Sequence, residues 1–133
     1  MPELTKDPRT ALVVDDEPSI LGVLSEILID AGFITTAFSR GVPALEAVQQ
    51  QCFDLLLIDV GLPDITGMAI CAAARERYGD DAVILIVTAD ARTERLVTAL
   101  DLGADDFVAK PFDIEELLTR IEVKLRRNER EDT

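Results

Sequence analysis

Hydrophobic positions in this chain alternate between short unbroken runs and stretches with helical spacing. ALVV at 11–14, LLLI at 55–58 and VILIV at 83–87 are continuous and bounded by turn residues, as in strands covered on both faces. ITTAF at 34–38 and the segment Phe107 to Ala109 predict two further strands. Between the runs, Ile20, Leu24, Ile27, Leu28 and Ala31 share one face of a helix. Pro18 starts that helix where its missing N–H costs nothing, and Gly32 stops it. A second helix is predicted from Gly41 to Gln50 with Val42, Leu45 and Val48 inward. After the turn-rich GLPDITG at 61–67, a helix of small residues runs from about Met68 to Arg77. A fourth, around Thr93 to Leu102, offers only Leu96, Val97, Leu100 and Leu102, so its docking is expected to be the least firm. The last opens with Asp113, has Glu116 three residues on in a capping-box arrangement, and buries Ile114, Leu117, Leu118, Ile121 and Leu125.

Five strands alternating with five helices predict an α/β fold. The expected form is a doubly wound, five-stranded parallel sheet of flavodoxin-like order 2-1-3-4-5, with helices on both faces. A chain of 133 residues that is 48% hydrophobic supports one well-buried core. Residues 1–9 read as an N-terminal extension and 10–127 as the domain. The polar run KLRRNEREDT from Lys124 makes 128–133 a charged tail or the start of a linker.

Charge and composition narrow the chemistry. The net charge of -13 argues against nucleic acid binding by this domain alone, because phosphate contacts need clustered Lys and Arg. Histidine is absent, which removes the commonest general base and the commonest metal ligand. Cys52 and Cys71 are expected as reduced, packed thiols inside elements. No apolar run approaches the roughly 20 residues of a membrane span. The opening MPELTKDPRT also lacks the apolar core of a secretory signal, so a soluble, cytoplasmic protein without membrane association is expected.

Each strand except the second ends on a residue suited to phosphoryl chemistry: Asp15 and Asp16, Asp59, Thr88, and Lys110. In an open parallel sheet the carboxyl ends of the strands face one crevice, so these groups are expected to meet there. Clustered carboxylates repel unless a cation is present, and an oxygen-rich set suits Mg²⁺, with Mn²⁺ as an alternative. Asp15 and Asp16 would hold the metal, and Asp59 is placed to attack phosphorus and form an aspartyl phosphate. Lys110 supplies a point charge and Thr88 a hydroxyl donor for phosphoryl oxygens. Taken singly, Asp15, Asp16 or Glu17 would serve equally well as caps for the helix that begins at Pro18.

With VVDDE at 13–17, DVGLPDITG at 59–67, VTAD at 87–90 and GADDFVAKPF at 103–112, the chain resembles the receiver domain of two-component response regulators. The resemblance spans about Thr10 to Arg127. It implies that Asp59 takes its phosphoryl group from a phosphohistidine on a histidine kinase or histidine phosphotransfer protein. It implies Mg²⁺ held by Asp16, Asp59 and the Gly61 backbone carbonyl, with Asp15 acting mainly through a water. It further implies phosphate binding by Thr88, the Ala89 backbone and Lys110, a switch pair of Thr88 and Phe107, and a cis peptide at Lys110-Pro111. Gly61 and Asp90, two positions past Asp59 and Thr88, would tune hydrolysis. Phe107 replaces the commoner Tyr and so removes a hydroxyl.

The expected function is therefore a phosphorylation-dependent signalling switch rather than a turnover enzyme, controlling an output domain or target protein through the surface of the fourth helix, fifth strand and fifth helix. Relatives with a winged-helix output usually pair charges there, and Asp106, Glu116, Arg120 and Arg127 fit that habit. Leu96 stands where the pattern has a base, and Glu122 would face Asp101 without a compensating cation, so a homodimer of that kind is not expected unchanged. The competing readings are a Mg²⁺-dependent phosphohydrolase with an aspartyl nucleophile, and a nonphosphorylated interaction module or flavin binder. The first is disfavoured because Asp15 and Asp16 are adjacent and Asp59 is distant, the interaction module by the complete acid, Thr and Lys set, and the flavin binder because two acids stand after the first strand where a Ser/Thr-rich phosphate loop is needed.

Overall fold

A computed structural model describes residues 9–90 and 92–131, giving the backbone alone for 93–96 and 129–131. The elements run β1 (Thr10–Val14), α1 (Pro18–Asp30), β2 (Ile34–Phe38), α2 (Gly41–Gln50), β3 (Leu55–Ile58) and α3 (Gly67–Tyr78). A short 3-10 turn (Gly79–Asp81) then leads to β4 (Val83–Thr88), α4 (Thr93–Asp101), β5 (Asp106–Ala109) and α5 (Ile114–Glu131). The five strands are parallel in the order β2-β1-β3-β4-β5, as the alternation of elements predicts.

The period of two explains the unbroken apolar runs. Leu12, Val14, Leu56, Ile58, Ile84 and Ile86 point to one side and pack with Ala44, Val48, Ile70, Cys71 and Ala74 of α2 and α3. Ala11, Val13, Leu55, Leu57, Val83 and Leu85 point to the other and pack with Leu24 and Leu28 of α1 and Leu117 and Ile121 of α5. Every residue of β3 and β4 is consequently buried, whereas the edge strand β2 leaves Ile34 exposed.

Helix orientation departs from the sequence reading at several positions. Val42 is exposed; α2 buries Val48 as expected, together with Ala44, Ala47 and Gly41, the last packed against Ile65. Ala31 is the exposed C-cap of α1 rather than part of its inner face. Ile114 is also exposed, and with Leu118 it lines a groove beside Val23 and Ile27 of α1. Only half of the capping box forms: the Glu116 amide donates to Asp113 Oδ1 at 3.1 Å, while the Glu116 side chain pairs with Arg120. Cys71 is buried as expected, but Cys52 lies exposed in the connection between α2 and β3.

Arg75 ties α3 to the opposite edge. Its guanidinium donates to the carbonyls of Gly103, Gly79 and Ala82 and to Asp105 Oδ2 at 2.7 Å. Among the described residues, no helix is long and apolar enough to cross a membrane.

Candidate functional site

Strand register builds the site. Val14 lies opposite Ile58 and Ile58 opposite Ile86, so the chain leaves three neighbouring strands at nearly one level. Asp15 and Asp59 follow immediately, with their amides still held by the carbonyls of Phe38 and Val14. Thr88 pairs with Ala109, which delivers Lys110 beside them, and the Lys110 amide donates to the Thr88 carbonyl at 2.9 Å. The Lys110-Pro111 peptide is cis.

Lys110 is the hub. Its side chain is only 7% exposed, and its Nζ lies 2.6 Å from Asp15 Oδ2, 3.1 Å from Asp59 Oδ2 and 3.2 Å from Glu17 Oε1. Asp15 Oδ1 accepts the Glu17 amide at 2.9 Å, and its fully buried Oδ2 meets the ammonium as an ion pair off the regular hydrogen-bond direction. Burial pushes the Asp15 carboxyl above its usual range, against the pull of Lys110 and the Glu17 amide. For Lys110 burial acts downward, but hydrogen bonds to Asp15 and Asp59 outweigh it and hold the ammonium above its ordinary value. The lysine therefore stays charged throughout the physiological range.

Asp15, Asp16 and Asp59 each bring one carboxylate oxygen within 4.8 Å of the others, with Asp16 open to solvent. An all-oxygen set with one exposed member fits a hard divalent cation that keeps several waters. The Gly61 amide donates to Asp59 Oδ1 at 3.2 Å. Thr88 is buried and its hydroxyl oxygen accepts the Asp90 amide at 3.1 Å, while Asp90 forms a two-point pair with Arg92, both contacts 2.9 Å.

Not every expected residue reaches the crevice. Phe107 lies half-buried against the α2 and α3 side of the core, one strand pair away at the level of Ile86. Asp106 pairs with Arg120 at 2.7 Å within the chain, and Glu122, expected to lack a cation, has Arg126 at 3.7 Å one turn along α5. The side chain of Leu96 falls outside the described residues.

Three contributors escape a reading by sequence. Glu17 sits at the N-cap of α1 without capping it and turns to Lys110 instead. Gly67 begins α3 where a Cβ would collide with the Asp59 carbonyl. Asp64 accepts the amides of Gly41 and Val42, both at 2.8 Å, and so fastens the loop after Asp59 to the start of α2. The Val42 amide is the main cause holding the Asp64 carboxyl below its usual range. Acidity next to the strand-end pair was the only visible signal for Glu17, and it pointed equally to a helix cap.

The model of the response regulator receiver domain matches residues 11–122. The chain belongs to that family. It is 42% identical over 120 residues to the DNA-binding response regulator MtrA of Mycolicibacterium smegmatis, covering 90% of this chain and 52% of that protein. The receiver domain thus spans about half the length of the curated relatives it matches. Among solved structures, a CheY-like receiver domain protein from Methanospirillum hungatei superposes with a TM-score of 0.87 at 30% identity, covering 92% of this chain and 98% of that one. A Burkholderia pseudomallei response regulator, solved with a phosphorylated aspartic acid, calcium ion and citrate, gives 0.79 at 26% identity over 94% of this chain and 73% of that one.

Proposed function

We propose that this receiver domain is a phosphorylation-dependent switch whose phosphoacceptor is Asp59. The supporting observation is the triangle of Lys110, Asp15 and Asp59, in which a buried ammonium stands 3.1 Å from the acceptor carboxylate. An Asp59 oxygen attacks phosphorus and forms a P–O bond as the P–N bond of a partner's phosphohistidine breaks, the ring nitrogen keeping the electron pair. The donor is a histidine kinase or a histidine phosphotransfer protein.

Asp15, Asp16 and Asp59, with the Gly61 carbonyl, would hold a divalent ion, Mg²⁺ or Mn²⁺ by the hardness of the donors. Bound there, the ion would neutralise charge on the transferring phosphoryl group. Lys110, the Thr88 hydroxyl and the Ala89 backbone amide bind the phosphoryl oxygens. Engagement of Thr88 releases its hydroxyl from the Asp90 amide, and the ring of Phe107 follows, altering the α4, β5 and α5 surface that an output domain, target protein or second copy would read. The phosphorylated aspartic acid and calcium ion of the Burkholderia relative support this reading by analogy. The reading also takes residues 1–9 as an N-terminal extension and 128–133 as a charged tail or the start of a linker, and puts the protein in the cytoplasm.

The test is intact-mass analysis after incubation with Mg²⁺ and acetyl phosphate. The expected result is one phosphoryl adduct on the wild type and none on Asp59→Asn. An unmodified wild type, or equal modification of the variant, overturns the assignment.

A further inference from the structure

The Lys110 ammonium has three hydrogens and three carboxylate neighbours, Asp15, Asp59 and Glu17. Its regular hydrogen bonds go to Glu17 and Asp59, with Asp15 held beside it as an ion pair, so a new phosphoryl oxygen competes with these carboxylates for the ammonium. Asp15 is poorly placed to yield: it is 1% exposed and its contact is the shortest at 2.6 Å. Asp59 carries the new group and stays. Glu17 differs in each respect, since its side chain is 57% exposed, its contact is the longest at 3.2 Å, and water can solvate it on release.

We infer that Glu17 is a releasable clamp on Lys110: it holds the ammonium before phosphorylation and yields it to the phosphoryl group afterwards. This rests on the reading of Asp59 as phosphoacceptor. Glu17 touches no reacting atom; it is a positioning residue acting through Lys110. Its carboxylate competes with the incoming phosphoryl oxygens for the same N–H donors, so it slows modification of Asp59. The contact joins positions 93 residues apart and connects the first residue before α1 to the residue after β5.

The test follows adduct formation over time by intact mass on the 133-residue chain, with Mg²⁺ and acetyl phosphate, for the wild type, Glu17→Gln, Glu17→Asp and Asp59→Asn. In this reaction the Asp59 oxygen forms a P–O bond while the bond from phosphorus to acetate breaks and acetate leaves with the electron pair. Glu17→Gln is expected to react about two- to fivefold faster, the range an exposed ion pair is worth. Glu17→Asp keeps the charge but is one methylene too short to hold Lys110, and it is expected to be faster as well. A second readout is the side-chain ammonium ¹H–¹⁵N resonance of Lys110 without phosphodonor, expected to shift in both variants and, in the wild type, to lose its dependence on Glu17 after phosphorylation. Equal rates in wild type and Glu17→Gln, or an unmoved resonance, overturn the clamp while leaving Asp59 as acceptor. A fast Gln variant beside an Asp variant as slow as wild type assigns the effect to charge at the mouth and also overturns it. A wild type that takes no adduct overturns the acceptor reading itself, and the clamp with it.

Discussion

Gly67 begins α3 directly against the carbonyl of Asp59, leaving no room between them for a Cβ. The contact sets how closely α3 approaches the end of β3, and the Gly67 amide donates to the Val60 carbonyl at 3.0 Å in the same turn. Gly67→Ala must push backbone against backbone, so a loss of about 1–3 kcal/mol is expected in urea unfolding. Asp59 should also accept phosphate more slowly, because its carboxylate moves with the strand end. At Gly61 a Cβ would meet open space, and Gly61→Ala is expected to stay within about 0.5 kcal/mol of wild type. Equal stability of the two variants would contradict this account.

The raised Asp15 carboxyl has a consequence for pH dependence. The folded chain holds a proton there more tightly than the unfolded chain, whose ordinary value is 3.8. Stability from that proton is present below the unfolded value and is lost as pH rises through the higher folded one. Asp15→Asn removes the ionisation while Lys110 keeps Asp59 and Glu17 as partners. Compared in EDTA, the variant is therefore expected to gain stability relative to wild type as pH rises above the unfolded value of 3.8. A constant difference over that rise would show that burial of this charge does not act on folding.

Divalent ions are expected to stabilise the domain. A ligand that binds the folded state alone adds about 1.4 kcal/mol at ten times its Kd, so the urea midpoint should rise with Mg²⁺ and fall back with EDTA. Asp16 is exposed, and Asp16→Asn should leave the metal-free midpoint within about 0.5 kcal/mol while weakening the response to Mg²⁺. An unchanged response would remove Asp16 from the ion's ligands.

Arg75 offers a control far from the crevice. It satisfies three carbonyls and the Asp105 carboxylate, and Lys cannot reproduce that planar fork. Arg75→Lys is expected to cost about 2–3 kcal/mol in unfolding, through acceptors left unmet, with Asp59 phosphorylation retained. A cycle with Asp105→Asn measures the share of the ion pair.

Asp90 is held by Arg92 at the edge of the site, and its amide leans on the Thr88 hydroxyl. Freed of this carboxylate, Asp90→Ala is expected to change the lifetime of the phosphorylated form several-fold, read by the decay of the adduct after donor removal. An unaltered lifetime withdraws Asp90 from hydrolysis.

Much of this molecule is legible in its residues because the informative features are local. Unbroken runs such as 55–58 and 83–87 mark strands buried on both sides, and Pro18 and Gly32 bracket α1. Asp15, Asp59, Thr88 and Lys110 could be assembled on paper because a parallel sheet brings strand ends together whatever the loops do. Helix faces were less secure. Val42 and Ile114 carry the hydrophobicity of inward positions yet lie exposed, since α2 turns Ala44, Ala47 and Val48 inward and α5 turns Leu117 and Ile121 inward.

By itself, then, the sequence determined the order of elements, the parallel topology and the acid, hydroxyl and lysine set at the strand ends. Tertiary structure alone decided that Glu17 turns to Lys110, that Gly67 abuts Asp59, that Asp64 fastens α2 and that Arg75 gathers four acceptors. The physical reason is distance along the chain. A strand or a cap follows from a few adjacent residues, whereas an ammonium chooses among carboxylates, and a guanidinium among carbonyls, only after packing has brought distant segments within about 3 Å of one another.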